Sequence, residues 1–254
     1  MHIASLFRTA RPWASACLAA LLSLPASADV VLSTTRVIYP AQEREITLSL
    51  TNDEKTQPRL VQAWIDDGQV DTPPDQIHVP FELMPPVFRL DAGKSQVLRI
   101  VYTHENSAAN PLPKDKESLF WLNVLSVPPD PSNAKSQNLL KFAIRTRIKF
   151  FLRPEGLAGD AEQAPAQLQW KRVSHGNEQT LEAYNPSAYH ISFANIAVVV
   201  DGREVKSEPP PMLAPGATGR YVLKDLTQPP TGAATIRFTT VNDYGTAVDH
   251  TAKL

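Results

Sequence analysis

The hydrophobic and polar positions of the chain alternate over short runs, which predicts β-strands rather than helices. Apolar residues occupy every second position over residues 46–50 and again over residues 98–102. Period two is the repeat of a strand with one buried and one solvated face. Asp, Asn, Gly and Pro interrupt these runs at intervals of roughly ten residues, the spacing expected of an all-β sandwich.

The strand-like runs fall into two sets. Residues 155–165 are rich in Gly, Ala and acidic side chains and show no β period, which is typical of a linker. Asp201 and Gly202 in the second set form a tight-turn signal. We therefore expect two β-sandwich domains in tandem, residues 29–152 and residues 153–254. The runs of the second set are 168–173, 180–184, 189–200, 220–223, 233–240 and 247–254.

The most apolar stretch of the first set ends at Pro154, whose missing N–H cannot continue a strand ladder. Leu140, Phe142 and Ile144 fall at period two and point from one face of a predicted strand. An apolar strand left at a sheet edge is an aggregation site unless a partner covers it. Two interpretations stay open: the strand is buried in its own sandwich, or it is kept for a partner.

The N-terminus has the pattern of a secretory signal peptide. Arg8 and Arg11 precede an apolar run over residues 13–24 that is too short to span a bilayer. Ala26 and Ala28 then supply the small residues of a signal-peptidase site. We expect cleavage after Ala28 and export of the mature chain, with a membrane anchor as the alternative.

Charge and cysteine content exclude some classes of function. Without the leader, the chain has 23 basic and 26 acidic residues, a net charge of −3, so no overall field favours nucleic acid or an anionic membrane. We expect no nucleic-acid partner and no membrane insertion after cleavage. Cys17 lies in the leader, so hydrophobic cores rather than disulfides must hold the mature chain together.

Catalytic and metal-binding patterns are missing from the sequence. The histidines of the mature chain are widely spaced, without an i, i+2 or i, i+4 pair to share a metal. There is no Gly-x-Ser-x-Gly turn, no phosphate-binding glycine loop and no cysteine nucleophile in the mature chain. We expect no metal, no cofactor and no enzymatic activity, although a hydrolase whose triad comes from distant strands stays open as an alternative.

Four short strings resemble, in order and spacing, the periplasmic chaperones of the chaperone–usher pilus pathway. They are TRVIYP at 35–40, ESLFWLNV at 117–124, RIKFFLRP at 147–154 and VNDYG at 241–245. The resemblance implies an all-β protein with two immunoglobulin-like β-sandwich domains in a boomerang arrangement. It also implies that the exported chain stays in the periplasm.

The same resemblance implies a site that binds pilus subunits. Arg36 and Lys149 would hold the C-terminal carboxylate of an unfinished pilus subunit, and charge-assisted hydrogen bonds of that kind contribute roughly 1.5 to 3 kcal/mol each. Leu140, Phe142 and Ile144 would form the donor strand that completes the subunit. The competing interpretation is that both basic residues are ordinary solvated side chains.

Glu117, Arg153 and Asp243 match a family trio thought to form salt bridges between the domains. An exposed pair contributes only about 0 to 1 kcal/mol, so we expect the trio to fix the domain angle more than to add stability. Ordinary surface charges are the alternative. Ile144 and Lys149 differ in parity, so a strand in which both contact one ligand should twist strongly or contain a bulge between them.

These inferences predict a non-enzymatic chaperone. It would bind pilus subunits by donor-strand complementation, with the two strands parallel, and deliver them to an outer-membrane usher. The resemblance leaves open self-association of free molecules through edge strands. The main alternative is a pilus subunit or adhesin-like structural β-sandwich protein, although the chain lacks the N-terminal donor extension and the cysteine pair of many such subunits.

Overall fold

A computed structural model describes residues 29–103, 111–130, 140–175, 178–200, 202–223, 226 and 234–254. The predicted signal peptide and its cleavage point after Ala28 therefore lie outside the described residues. Among the residues that are described, no helix is long and apolar enough to cross a membrane.

The described chain is built almost entirely of β-strands, as the alternating pattern predicted. Short 3₁₀ helices lie at Pro74–Gln76 and Ala164–Gln167. The strands are β1 (Val30–Leu32), β2 (Arg36–Pro40), β3 (Glu45–Asn52), β4 (Arg59–Asp66), β5 (Phe81–Met84), β6 (Val87–Leu90), β7 (Ser95–Tyr102), β8 (Ser118–Val127), β9 (Ile144–Arg153), β10 (Gln169–His175), β11 (Glu178–Tyr184), β12 (Phe193–Val200), β13 (Arg203–Lys206), β14 (Thr218–Val222), β15 (Ala234–Val241) and β16 (Ala247–Lys253).

The first sandwich packs two sheets over one aromatic core. Its sheets have the strand orders β1-β3-β7-β5 and β2-β9-β8-β4-β6. Phe81 of the first sheet meets Phe120 and Phe150 of the second, with ring centroids 5.0 and 4.8 Å apart in edge-to-face geometry. Tyr39 of β2 is fully buried in the same cluster. This core therefore depends on β9, which supplies Phe150.

The second sandwich repeats the arrangement with the sheets β10-β11-β14 and β13-β12-β15-β16. Leu181 and Tyr221 of one sheet and Ile196, Ile236 and Phe238 of the other are buried in a common core. The two cores account for the stability of a mature chain without cysteine, because burial of apolar side chains is the main favourable term in folding.

The predicted turn and the predicted runs agree with the strands in most places. β12 and β13 pair from Val200 and Arg203, and Gly202 between them has a φ of +77°, a left-handed conformation that favours glycine. Asp201 lies outside the described residues. The run at 189–200 becomes a regular strand only at Phe193, and Ile191 before it forms an isolated bridge with Leu213.

Candidate functional site

One edge of β9 is only half covered. β8 pairs with β9 from Ile144 to Leu152 on one side. On the other side, β2 runs parallel to β9 and pairs only from Lys149 to Arg153. Over Ile144 to Ile148, this edge pairs with no strand of the described residues. The backbone N–H and C=O groups of that segment are therefore available to another strand.

The predicted donor residues lie at and before the start of this open edge. Leu140, Phe142 and Ile144 are exposed by 80, 69 and 51%. The regular strand begins only at Ile144, so the expectation of a strand from Leu140 is wrong for this state of the chain. The interpretation that the three side chains are buried in their own sandwich is also wrong, because they extend beyond its core.

β9 is regular, so of the two expected alternatives, a strong twist or a bulge, the bulge is absent between Ile144 and Lys149. Its register with β8 stays constant from Ile144 to Leu152, so alternation continues without interruption. Ile148, Phe150 and Leu152 pack in the first core, and Ile144 shares their parity. Lys149 faces the opposite side, toward the second sandwich. No bulge is needed, because the face of β9 that carries Ile144 continues the face that packs in the first core, while the opposite face places Lys149 against the second sandwich.

The two predicted anchor residues meet at the junction of the sandwiches. Arg36 and Lys149 are register partners of β2 and β9. Lys149 Nζ donates to Ser192 Oγ at 2.8 Å, and Arg36 Nη1 donates to the carbonyl oxygen of Val241 at 2.7 Å. The Val241 amide in turn donates to the Ser192 carbonyl at 2.8 Å. Two adjacent cations of one sandwich thus meet two adjacent acceptors of the other.

The electrostatics of this pair favour an anion. Burial lowers the pKa of Lys149 to about 8, and the neighbouring charge of Arg36 acts in the same direction. Burial also lowers the pKa of Arg36, although Asp243 partly offsets the effect. Arg36 Nε is buried and forms no hydrogen bond with any residue that the structure describes. A carboxylate would supply a hydrogen-bond acceptor for Arg36 Nε and a negative charge to balance the two cations.

A cavity of about 240 Å³ lies beside this pair, between the sandwiches. Its walls include Arg36, Phe151, His190 and Ser192. No group of three or more His, Cys, Asp and Glu side chains in the described ranges could hold a metal ion. The cavity wall combines hydrogen-bond donors and apolar surface with the carboxylates of Glu117, Glu162 and Asp243.

The structure brings together the predicted inter-domain trio. Arg153 Nε donates to Glu117 Oε1 at 2.8 Å, and Arg153 Nη1 donates to Asp243 Oδ2 at 2.7 Å. Glu117 is only 4% exposed and also accepts the backbone N–H of His190 at 2.8 Å. Burial alone would raise the pKa of Glu117, but the hydrogen bonds from His190 and the charge of Arg153 outweigh it and lower that pKa. Glu117 is buried, whereas the side chains of Arg153 and Asp243 are 22 and 31% exposed. The trio is therefore a partly buried network rather than the exposed pairs that the sequence suggested.

A second charged network fixes the open half of β9. Arg147 Nη2 and Nε donate to the two oxygens of Asp66 at 2.6 and 3.2 Å, and the guanidinium stacks 4.1 Å from the Trp121 ring centroid. Asn123 Nδ2 also donates to Asp66 at 2.6 Å, and Arg145 Nε donates to Asn123 Oδ1 at 3.0 Å. These contacts connect β9 across β8 to the end of β4, so the open edge is held without a partner strand.

Asp66 is the centre of that network. Its side chain is fully buried. Burial would raise the pKa of Asp66, but hydrogen bonds from Arg147, Asn123 and the Gly68 amide outweigh it and lower that pKa. The carboxylate is therefore charged in the folded chain at neutral pH.

Sequence reasoning missed Ser192, Asp66 and His190. Asn123, the polar position in the apolar run of β8, and Arg147, a charge within the apolar run of β9, were the local signals of the Asp66 network. Ser192 and His190 carry no such signal, because their partners lie 43 and 73 residues away along the chain.

Comparison with family models places both sandwiches in one kind of protein. Residues 29–158 match the model described as "Pili and flagellar-assembly chaperone, PapD N-terminal domain". Residues 163–252 match "Pili assembly chaperone PapD, C-terminal domain". The two models together cover nearly the whole described chain.

Individual proteins give the same result. The chain is 38% identical over 239 residues to the chaperone protein FimB/FhaD of Bordetella pertussis, covering 94% of this chain and 93% of the relative. A crystal structure of the YadV chaperone superimposes with a TM-score of 0.75 at 36% identity, covering 89% of this chain and 100% of that one. A structure of the Salmonella enterica SafA pilin in complex with the SafB chaperone matches with a TM-score of 0.69 at 28% identity, covering 91% and 99%.

Proposed function

We propose that this chain, which belongs to the family of pilus-assembly chaperones, binds pilus subunits by adding the open edge of β9 to them. Members of this family are chaperones rather than enzymes, and chaperone function in pilus assembly is the activity of this chain. One observation carries the proposed mode of binding. The uncovered edge of β9 leads directly to two desolvated cations, Arg36 and Lys149.

The charges at the end of that edge determine the direction of the added strand. A strand that runs parallel to β9 along Ile144 to Ile148 would bring its C-terminal carboxylate to Arg36 and Lys149. An antiparallel strand would bring its N-terminal ammonium to the same two cations, which repel it. The parallel direction is therefore favoured, and the anchored carboxylate fixes the register of the strand.

The exposed apolar side chains supply the second part of the interaction. Leu140, Phe142 and Ile144 are donor residues that would enter the groove of a subunit whose own sandwich lacks a strand. Donor-strand complementation between chaperones and pilins is a known form of strand addition. The exposure of these side chains in the free chain supports this role, because large apolar groups at an edge normally mark an interaction site.

The remaining parts of the proposal concern location and delivery. The leader would direct the chain to the periplasm and be removed after Ala28, leaving a first domain of residues 29–152 and a second of residues 153–254. Subunits would then pass to an outer-membrane usher. The SafB chaperone, which this chain resembles, was solved in complex with the SafA pilin, and that supports a pilin as partner here. Glu117, Arg153 and Asp243 would hold the domain angle during this process.

Co-expression with a pilus subunit from the same gene cluster tests the proposal. The wild-type chain should co-purify with the subunit from periplasmic extracts, and Ile144→Asp should lose it. Val97→Asp is a matched control, since Val97 and Ile144 are both 51% exposed but Val97 lies on the opposite sheet. Equal yields of the subunit from the two variants would contradict the proposal.

A further inference from the structure

The two cations of the proposed carboxylate anchor, Arg36 and Lys149, belong to the first sandwich, and the groups that accept their hydrogen bonds belong to the second. Lys149 is fixed in the free chain by a hydrogen bond to Ser192, which immediately precedes β12. Ser192 is only 4% exposed, and its carbonyl accepts the N–H of Val241. The backbone that carries this hydroxyl is therefore fixed to β15 and shielded from solvent.

The chemistry of this contact suits a partly buried ammonium group. A lysine ammonium has three N–H donors and no acceptor, so it needs oxygen atoms around it wherever water is excluded. The Ser192 hydroxyl takes one donor and leaves two for a carboxylate. Because serine carries no charge, it directs the ammonium without neutralising it, whereas an aspartate there would compete with the ligand.

Building on the proposed function, we propose that Ser192 is a positioning residue of the carboxylate anchor. Its hydroxyl holds Lys149 Nζ beside Arg36, so that the two cations meet one carboxylate together. Ser192 does not itself need to touch the subunit. The second sandwich thereby takes part in binding the subunit through a side chain that lies 43 residues from Lys149 along the sequence.

A purely structural role for Ser192 makes a different prediction. If its hydroxyl only stabilised the fold, removing it would weaken binding of any strand to a similar extent. If it positions Lys149, removing it should weaken only the recognition of a terminal carboxylate. Two peptides distinguish these cases: the C-terminal strand of a pilus subunit from the same gene cluster, made with a free carboxylate and with a C-terminal amide.

Binding of both peptides is measured by calorimetry to the wild-type chain, Ser192→Ala and Ser192→Thr. We expect the wild type to bind the free-acid peptide more tightly than the amide peptide. Ser192→Ala should bind the acid about tenfold more weakly, because it loses one hydrogen bond to a charged group. Its affinity for the amide should change little. Ser192→Thr retains the hydroxyl and should restore most of the preference. Thr240→Val is a matched control, because Thr240 is also 4% exposed and lines the same cavity, but bonds to His250 instead.

The outcomes separate the two proposals. If the wild-type chain binds the free-acid peptide and the amide peptide equally well, the carboxylate anchor is overturned, and the role of Ser192 is overturned with it. A wild type that prefers the acid, together with a Ser192→Ala variant that keeps the full preference, would overturn only the role of Ser192. Equal losses for acid and amide in Ser192→Ala would assign the residue to the fold and overturn its positioning role.

Discussion

Arg36 and Lys149 lie directly opposite each other in a parallel strand pair, although two neighbouring cations repel. Both are partly withdrawn from solvent, and the pKa of each is lowered chiefly by burial. Such a pair does not stabilise the free chain. Its position at the end of an open strand edge supports the proposal that it binds the carboxylate of a partner.

Replacing Lys149 should separate stability from function. Burial lowers the pKa of Lys149 to about 8, so the ammonium is still the main form at pH 7, but keeping it charged in the folded chain costs stability. Lys149→Met should therefore leave the melting temperature unchanged or raise it, and should abolish co-purification with a pilus subunit. The difference in stability from wild type should shrink as the pH rises above about 8, because the native lysine then loses its proton.

A lysine at another exposed strand position provides the control for that experiment. Lys171→Met changes the same side chain on β10, where it is exposed, and should keep the full yield of the subunit. A normal yield from Lys149→Met would contradict the assignment of the anchor. Arg36→Ala should lose the subunit in the same way as Lys149→Met.

Binding of the pilus subunit should weaken in alkaline solution. The ammonium of Lys149 must be charged to attract a carboxylate, and a bound carboxylate raises the pKa of that ammonium above its value of about 8 in the free chain. Affinity should thus be highest below about pH 7 and fall as the pH rises through 8, by at most about tenfold per pH unit. The charged group that faces Lys149 from β2 is Arg36, which keeps its proton over this range.

Calorimetry at several pH values, with a peptide that ends in the free carboxylate of a pilus subunit, measures this dependence. Lys149→Arg is the control, because a guanidinium does not titrate in the same range. Its affinity should be nearly constant where that of the wild type falls. A wild-type affinity that stays flat through about pH 9.5 would show that Lys149 does not contribute its charge.

Two isoleucines on one face of β9 should respond differently to the same change. Ile144 is half exposed, so Ile144→Asp should change the free energy of unfolding by no more than about 0.5 kcal/mol while weakening binding of the subunit. Ile148 packs against the first core, so Ile148→Asp should destabilise the chain by about 2 to 4 kcal/mol. Urea denaturation and a pull-down give both quantities. If Ile144→Asp unfolds the isolated protein, Ile144 belongs to the core.

The Asp66 network should respond to acid. The lowered pKa of Asp66 means that its contribution to stability is present above about pH 4 and is lost as the pH falls through the folded-state pKa. Asp66→Asn should cost about 1 to 3 kcal/mol at pH 7, and the gap from wild type should narrow as the pH falls through the lowered pKa of Asp66. The fluorescence of Trp121, which stacks on Arg147, reports the transition during urea denaturation.

An exposed ion pair serves as the control for Asp66. Asp91 pairs with Arg89 near the surface, with both side chains more than half exposed, so Asp91→Asn should have an effect within about 0.5 kcal/mol. Similar losses of unfolding free energy from both substitutions would show that the buried Asp66 network contributes no more to stability than an exposed ion pair.

Removing Arg153 should disturb both stability and domain arrangement. Arg153→Ala leaves the carboxylate of Glu117 buried without its charged partner, which should cost about 3 kcal/mol and widen the distribution of domain angles. Thermal unfolding and small-angle X-ray scattering measure the two effects. Arg220→Ala breaks a pair in which the arginine is 72% exposed and should change neither result appreciably. A scattering profile identical to that of the wild type would show that Arg153 does not set the angle.

The sequence was informative where the determinants are local. Alternation placed Ile144 and Lys149 on opposite faces of β9, and the regular register agrees. The same alternation could not show that β2 covers β9 only from Lys149 to Arg153, because the two strands lie more than a hundred residues apart along the chain. A strong twist or a bulge was expected only if Ile144 and Lys149 contact one ligand; the register shows no bulge, and the shared ligand stays a prediction.

The least predictable parts are polar contacts made over long separations. Arg147 was visible as a charge within an apolar strand, but its partner Asp66 lies 81 residues away. Glu117 looked like an exposed charge, and only the packing of the second sandwich against it buries the carboxylate beside His190. Burial of a polar group is a property of the whole fold and leaves little trace in local periodicity.

The parallel strand β2 has one more consequence. Because it occupies the same edge of β9 from Lys149 onward, a segment in the middle of another chain has no path along that edge past Arg36. A strand that ends there fits along this edge without having to turn away from it. On the proposed mode of binding, we expect the chaperone to favour the C-terminal end of a pilus subunit over internal strands of other proteins, whatever the sequence of either.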